Sequence, residues 1–123
     1  VREFTKKAFY EIGIDLKFIG KGIDEKGFIS DIDSKLFEKM VNRKPSHLIT
    51  GSTLIEIDSK YFRPTEVDIL VGDATKANKL LNWQPEHTLE DLIKEMVTND
   101  LEIFKKDCFL QEKGHKIVPS AEL

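Results

Sequence analysis

Val1, Phe4, Ala8 and Ile12 recur at the spacing of one helical face, with charged residues between them. That spacing predicts an opening helix of about three turns, which Gly13 is placed to end in a left-handed cap. In "IDLKFIG" residues 16–19 have the composition of a short strand, and Gly20, Gly22 and Gly27 then mark a turn-rich loop. Residues 29–50 carry no clear period, although "SKLFEKMVNR" suits a short helix before Pro45. "STLIEID" alternates apolar and polar positions as a half-buried strand does, and it leads directly into "YFRPTEVD". Asp73 follows "DILVG" and precedes "ATKANKLL", where an N-cap belongs. After the break at "NWQPEHT", Thr88 and Asp91 form a capping signature. It introduces Leu89, Leu92, Ile93, Met96, Val97, Leu101 and Phe104, a stripe that the pattern assigns to the core of the longest helix. Residues 111–123 have no period and read as a surface tail.

Composition narrows the picture. With 123 residues, 40% of them hydrophobic and 33% charged, the chain can form one domain with a core of its own. A formal charge of -3 and the lack of any Lys/Arg-dense tract argue against general binding of nucleic acid or anionic membrane, both of which need a basic footprint. Cys108 is alone, so neither an internal disulfide nor a cysteine zinc cluster can form within the chain, which fits a reducing, cytoplasmic compartment. No apolar run approaches the roughly 20 residues of a membrane span. The start, "VREFTKKAFYE", has neither an initiating Met nor the pattern of a signal peptide, and reads like a chain entered in the middle.

The candidate chemistry is thin. "GKGIDEKG" places its third glycine too late for a dinucleotide fingerprint and reads as a turn. "DIDSK" opens like a calcium loop but has Leu36 and Asn42 where glycine and a bidentate glutamate are required. His47, His87 and His115 are scattered without metal-ligand spacing, and neither Tyr10 nor Tyr61 is followed four residues later by a lysine. No catalytic, cofactor-binding or metal-ligating residue emerges. In "YFRPTEVD", Arg63 with Glu66 three residues on is, by spacing alone, most simply a surface ion pair.

"YFRPTEVDILVGD" followed by "TKANKLLNW" changes that balance. Together with "VREF", "GIDEKG", "LEDLIKEMVTNDLE" and the tail "FLQEKGHKI", these motifs resemble the C-terminal third of the GDP-mannose 4,6-dehydratases, a family of extended short-chain dehydrogenases/reductases. The resemblance covers nearly the whole chain. "RPTEVD" with the following "GD-x-TKA" is its most specific part, the helix and Trp83 patterns are shared more widely, and nothing is carried over for residues 30–50. It implies an α/β protein (α+β as an isolated piece) in which residues 1–110 form a small nucleotide-sugar-binding subdomain with a few short strands and three main helices. Residues 111–123 form a tail.

In such enzymes an N-terminal Rossmann domain, absent here, binds NADP and supplies the catalytic Thr or Ser, Glu, Tyr and Lys, while the C-terminal domain closes over GDP-mannose. The implied reaction is a lyase step that yields GDP-4-dehydro-6-deoxy-mannose and water, on the route to GDP-fucose and related sugars. The full-length relatives are homo-oligomers, dimers or tetramers. The family motif Arg-Pro-x-acid assigns Arg63 to the pyrophosphate and Glu66 to the ribose hydroxyls. The chemistry agrees, since a guanidinium offers phosphate a planar fork of donors and a carboxylate can accept from both hydroxyls of a diol, with Pro64 restricting the backbone between them. Of Tyr61 and Phe62 only one lines the nucleotide pocket, and Tyr61 is carried as the candidate. Asp68 is structural, Lys76 and Lys79 are surface residues, and Trp83 packs between the final two helices. Two other readings stay open: the C-terminal part of a related reductase or epimerase, and a stand-alone, non-catalytic nucleotide-sugar binding module.

Overall fold

A computed structural model describes residues 1–63 and 71–117. The chain is α+β: a small antiparallel sheet with helices packed on it. The first helix, α1 (Arg2–Glu11), has the expected length, and Gly13 follows it at φ +79° with its N–H donating to the Tyr10 carbonyl at 2.9 Å, as the left-handed cap requires. Phe9 and Ile12 pack against the core, whereas Val1 is fully exposed at the N-cap and lies off the buried face.

Three strands follow in the order β1-β2-β3: β1 (Ile14–Ile19), β2 (Lys26–Ile32) and β3 (Thr53–Glu56), each antiparallel to its neighbour. β1 begins two residues earlier than its composition suggests. β2 corrects the expected loop, because Gly27 lies within the strand rather than in the turn. A Cβ at Gly27 would stand 3.0 Å from Ile55 Cβ and 3.1 Å from the Phe18 ring, so this glycine serves close packing. Leu16 pairs with Ile29 and Ile14 with Ile32, which puts these four apolar residues on one face. Ile14, Leu16, Ile29 and Phe37 form the buried cluster, bordered by Phe18, Leu54 and Ile55 from the sheet.

Phe37 comes from α2 (Ser34–Val41), the short helix expected before Pro45. Its first turn is capped by Asp33, whose carboxylate accepts from the Lys35 and Leu36 amides at 3.1 and 3.0 Å. The Asp33 N–H in turn donates to the Gly13 carbonyl at 2.8 Å, tying the start of α2 to the end of α1.

Two helices close the chain: α3 (Thr75–Leu81) and α4 (Leu89–Glu112), giving four α-helices among the described residues, the expected short one before Pro45 included. The Thr88–Asp91 capping box is present in both directions: the Thr88 hydroxyl accepts from the Asp91 amide at 3.1 Å, and the Asp91 carboxylate accepts from the Thr88 amide at 2.9 Å. α4 extends through Gln111 and Glu112, so the irregular tail starts two residues later than the sequence pattern places it.

The apolar stripe of α4 corrects a second expectation. Ile93 is 1% exposed, but Leu89, Leu92, Met96 and Phe104 are all at least 43% exposed, because α4 packs along only one side, against α1 and α2. Trp83 is likewise 49% exposed rather than enclosed between the final helices. The Lys7–Glu90 and Arg43–Glu112 ion pairs link α4 to α1 and to the end of α2. Hydrogen bonding from Lys7 holds the Glu90 carboxyl below its usual range and raises the Lys7 ammonium above its own.

Candidate functional site

After β3 the chain reverses through a turn organised by one carboxylate. Asp58 Oδ1 accepts from the Lys60 amide at 2.8 Å, and the Asp58 carbonyl accepts from the amides of Tyr61 and Phe62 at 3.0 and 3.1 Å. Arg63 therefore follows a built turn and lies beyond the strand end, as the alternation in "STLIEID" anticipates, although seven residues past Glu56 rather than directly after it.

The turn sends the two aromatic residues in different directions. Tyr61 is 72% exposed, with the Lys60 ammonium 5.2 Å from its ring centroid, the geometry of a cation–π pair. Phe62 is half-buried and rests against Gly22 in the β1–β2 turn. Arg63 is exposed at the end of the first described segment. Glu66, Pro64 and Asp68 lie outside the described residues, so the geometry of the Arg63–Glu66 pair does too.

Beyond the motif, Asp73 takes up the Thr75 amide at 2.9 Å. It does so from one residue upstream of the N-cap position, which Ala74 occupies. The Thr75 hydroxyl, followed by this amide, keeps the Asp73 carboxyl below the usual range. Asp73 is thus structural, as its place in the sequence suggests. Lys76 and Lys79 are exposed on α3.

Two of the grooves on the described surface lie between α4 and another helix. One of about 530 Å³ runs between the end of α2 and α4, lined by Arg43, Phe104, Cys108 and Phe109 among others. One of about 480 Å³ lies between α1 and α4 beside Tyr10 and Ile93. Neither includes Tyr61 or Arg63 in its lining, and the second is bordered by the Lys7–Glu90 ion pair. Among the described residues no group of three or more His, Cys, Asp or Glu is positioned to hold a metal ion. No helix among them is long and apolar enough to cross a membrane.

The glycine-bearing turn after β1 joins two antiparallel strands, whereas a dinucleotide-binding loop joins a strand to the N-terminus of a helix. This turn therefore does not have the form of a dinucleotide-binding loop.

The described residues form a small α+β unit in which Arg63 is exposed after a turn beyond β3. A family profile for GDP-mannose 4,6 dehydratase matches residues 1–96, and the chain belongs to that family. It is 37% identical over 122 residues to the GDP-mannose 4,6-dehydratase of Vibrio cholerae serotype O1, covering 99% of this chain and 31% of the relative. The enzyme of that name from Yersinia enterocolitica is 39% identical over 117 residues, covering 95% of this chain and 29% of the relative. The human GDP-mannose 4,6 dehydratase is 37% identical over 105 residues, covering 85% of this chain and 23% of the relative. The chain thus spans less than a third of the length of the curated relatives it matches.

Proposed function

We propose that this chain is the C-terminal, GDP-gripping part of a GDP-mannose 4,6-dehydratase, a lyase that converts GDP-mannose to GDP-4-dehydro-6-deoxy-mannose and water. The observation that carries the reading is Arg63, exposed directly after the Asp58 turn in a chain whose family is that of the dehydratases. In this reading the Arg63 guanidinium holds the pyrophosphate through paired N–H donors, and Glu66 accepts from the ribose hydroxyls. Tyr61, exposed beside Lys60, offers a ring face to the nucleotide.

Proton transfer and the nicotinamide cofactor belong, on this account, to the part of the protein that this chain does not span. NADP supplies hydride transfer there, and no residue of this chain is assigned to it. That same part covers the exposed Leu92, Met96 and Phe104 of α4, which explains why an apolar stripe so regular is left bare here. The complete protein works as a cytoplasmic homo-oligomer. Incubating the complete protein with GDP-mannose and NADP should yield a 4-keto sugar nucleotide, and a complete protein that leaves GDP-mannose unchanged would refute the assignment.

A further inference from the structure

The β1–β2 turn is closed by contacts of its own. Its three-residue helical turn, Gly22–Asp24, is closed by the Asp24 amide donating to the Lys21 carbonyl and the Glu25 amide to the Gly22 carbonyl, both at 3.3 Å. An Arg2–Glu25 ion pair ties it to α1, and the Glu25 side chain is only 14% exposed.

Phe62 lies on this turn. Gly22 is at φ +60°, and a Cβ built on it would stand 3.7 Å from Phe62 Cζ and 4.0 Å from Cε2, at van der Waals contact with the ring. Phe62 is half-buried while Tyr61 before it and Arg63 after it are exposed. The ring is thus the anchored residue in an otherwise solvent-facing run. Backbone torsions propagate directly from residue 62 to residue 63, so fixing the ring restricts where the adjacent Cα, and with it the guanidinium, can lie. We infer that the β1–β2 turn is a seat for Phe62 and that Phe62, held against Gly22, is the positioning residue for Arg63.

The inference rests on Arg63 being the GDP-binding arginine, and it adds how that arginine is aimed. A preorganised guanidinium loses less conformational freedom on binding, so the expected signature is in nucleotide affinity.

The test is a double-mutant cycle in the full-length enzyme, read by calorimetric titration of GDP-mannose below the melting temperature of every variant. Phe62→Ala is expected to weaken binding about tenfold, and Phe62→Leu, which keeps an apolar anchor, no more than about threefold. Gly22→Asn, which tolerates the left-handed backbone but fills the seat, should weaken binding as Phe62→Ala does; it carries the test if Phe62→Ala does not fold. Because Phe62 acts through Arg63, Phe62→Ala combined with Arg63→Ala should bind within about twofold of Arg63→Ala alone. Fully additive losses would overturn the inference. So would unchanged affinity in both Phe62→Ala and Gly22→Asn while Arg63→Ala loses binding, which leaves the role of Arg63 standing. If Arg63→Ala itself binds normally, the role of Arg63 and its positioning fall together. A purely structural Phe62 would lower the melting temperature and leave affinity untouched.

Discussion

Ile93 is the buried residue of α4, and its burial sets the scale of the stability lost when it is replaced by alanine. The side chain is 1% exposed, the least accessible on the helix, and sits on the side facing α1. Ile93→Ala removes three carbons, worth about 0.8 kcal/mol each when buried, and leaves a cavity that the surroundings fill only in part; a loss of about 2 to 5 kcal/mol is expected. The neighbouring stripe residues supply the control. Leu92 and Met96 are 48% and 45% exposed, so their truncation forfeits only part of a transfer free energy and opens no enclosed cavity, costing about 1 kcal/mol or less. Urea unfolding followed by far-ultraviolet circular dichroism separates the three, with the slope against urea unchanged if only stability has moved. Should Ile93→Ala cost no more than Leu92→Ala, the docking of α4 described above would be wrong.

Three further outcomes follow from the same structure. Backbone and hydroxyl bonds from Thr88 depress the Asp91 carboxyl, so its stabilising effect is complete above the ordinary carboxylate range and is lost as the pH falls through that range to the lowered folded value; Asp91→Asn should therefore flatten the acid limb of a stability–pH curve. The isolated chain, with Leu92, Met96, Ile103 and Phe104 all at least 45% exposed, should bind a hydrophobic dye and self-associate, and a monodisperse monomer without dye binding would contradict the proposed covering of α4. Mixed with GDP-mannose and NADP, the isolated chain should form no 4-keto product, and turnover above background would show that a proton-transfer centre lies within it.

Local signals were legible where their cause is local. The left-handed Gly13, the Thr88–Asp91 box and the helix before Pro45 each rest on residues within a turn or two of one another, and each is found in the structure. β2 was obscured because Gly27 reads as a turn when taken alone; the reason for it is the approach of Phe18 and Ile55 from the two flanking strands, which no local window contains. The stripe on α4 misled in the opposite direction. A hydrophobic period reports what a helix is built to bury, and here the described residues cover only the side at Ile93. In the candidate site, "YFRPTEVD" gave the identity of Arg63 and its position beyond a strand, but the different exposure of Tyr61 and Phe62 reflects the contact of Phe62 with Gly22, which is distant in sequence and visible only once β1 and β2 have paired.

The central claim is that Arg63 holds the pyrophosphate of GDP-mannose, and calorimetric titration of GDP-mannose into variants of the full-length enzyme tests it most directly. Arg63→Ala should lose about 2 to 5 kcal/mol of binding, the cost of removing one partner from a desolvated, charge-assisted contact, while NADP affinity stays unchanged. Arg63→Lys should lie nearer to Ala than to the wild type, because a single ammonium cannot reproduce the two-pronged donor geometry. Glu66→Gln should cost less, about 1 to 3 kcal/mol, since the amide oxygen still accepts from one ribose hydroxyl. A surface ion pair between Arg63 and Glu66 predicts instead that each substitution changes stability by less than about 1 kcal/mol and leaves the nucleotide alone. Wild-type affinity for GDP-mannose in Arg63→Ala would contradict the account.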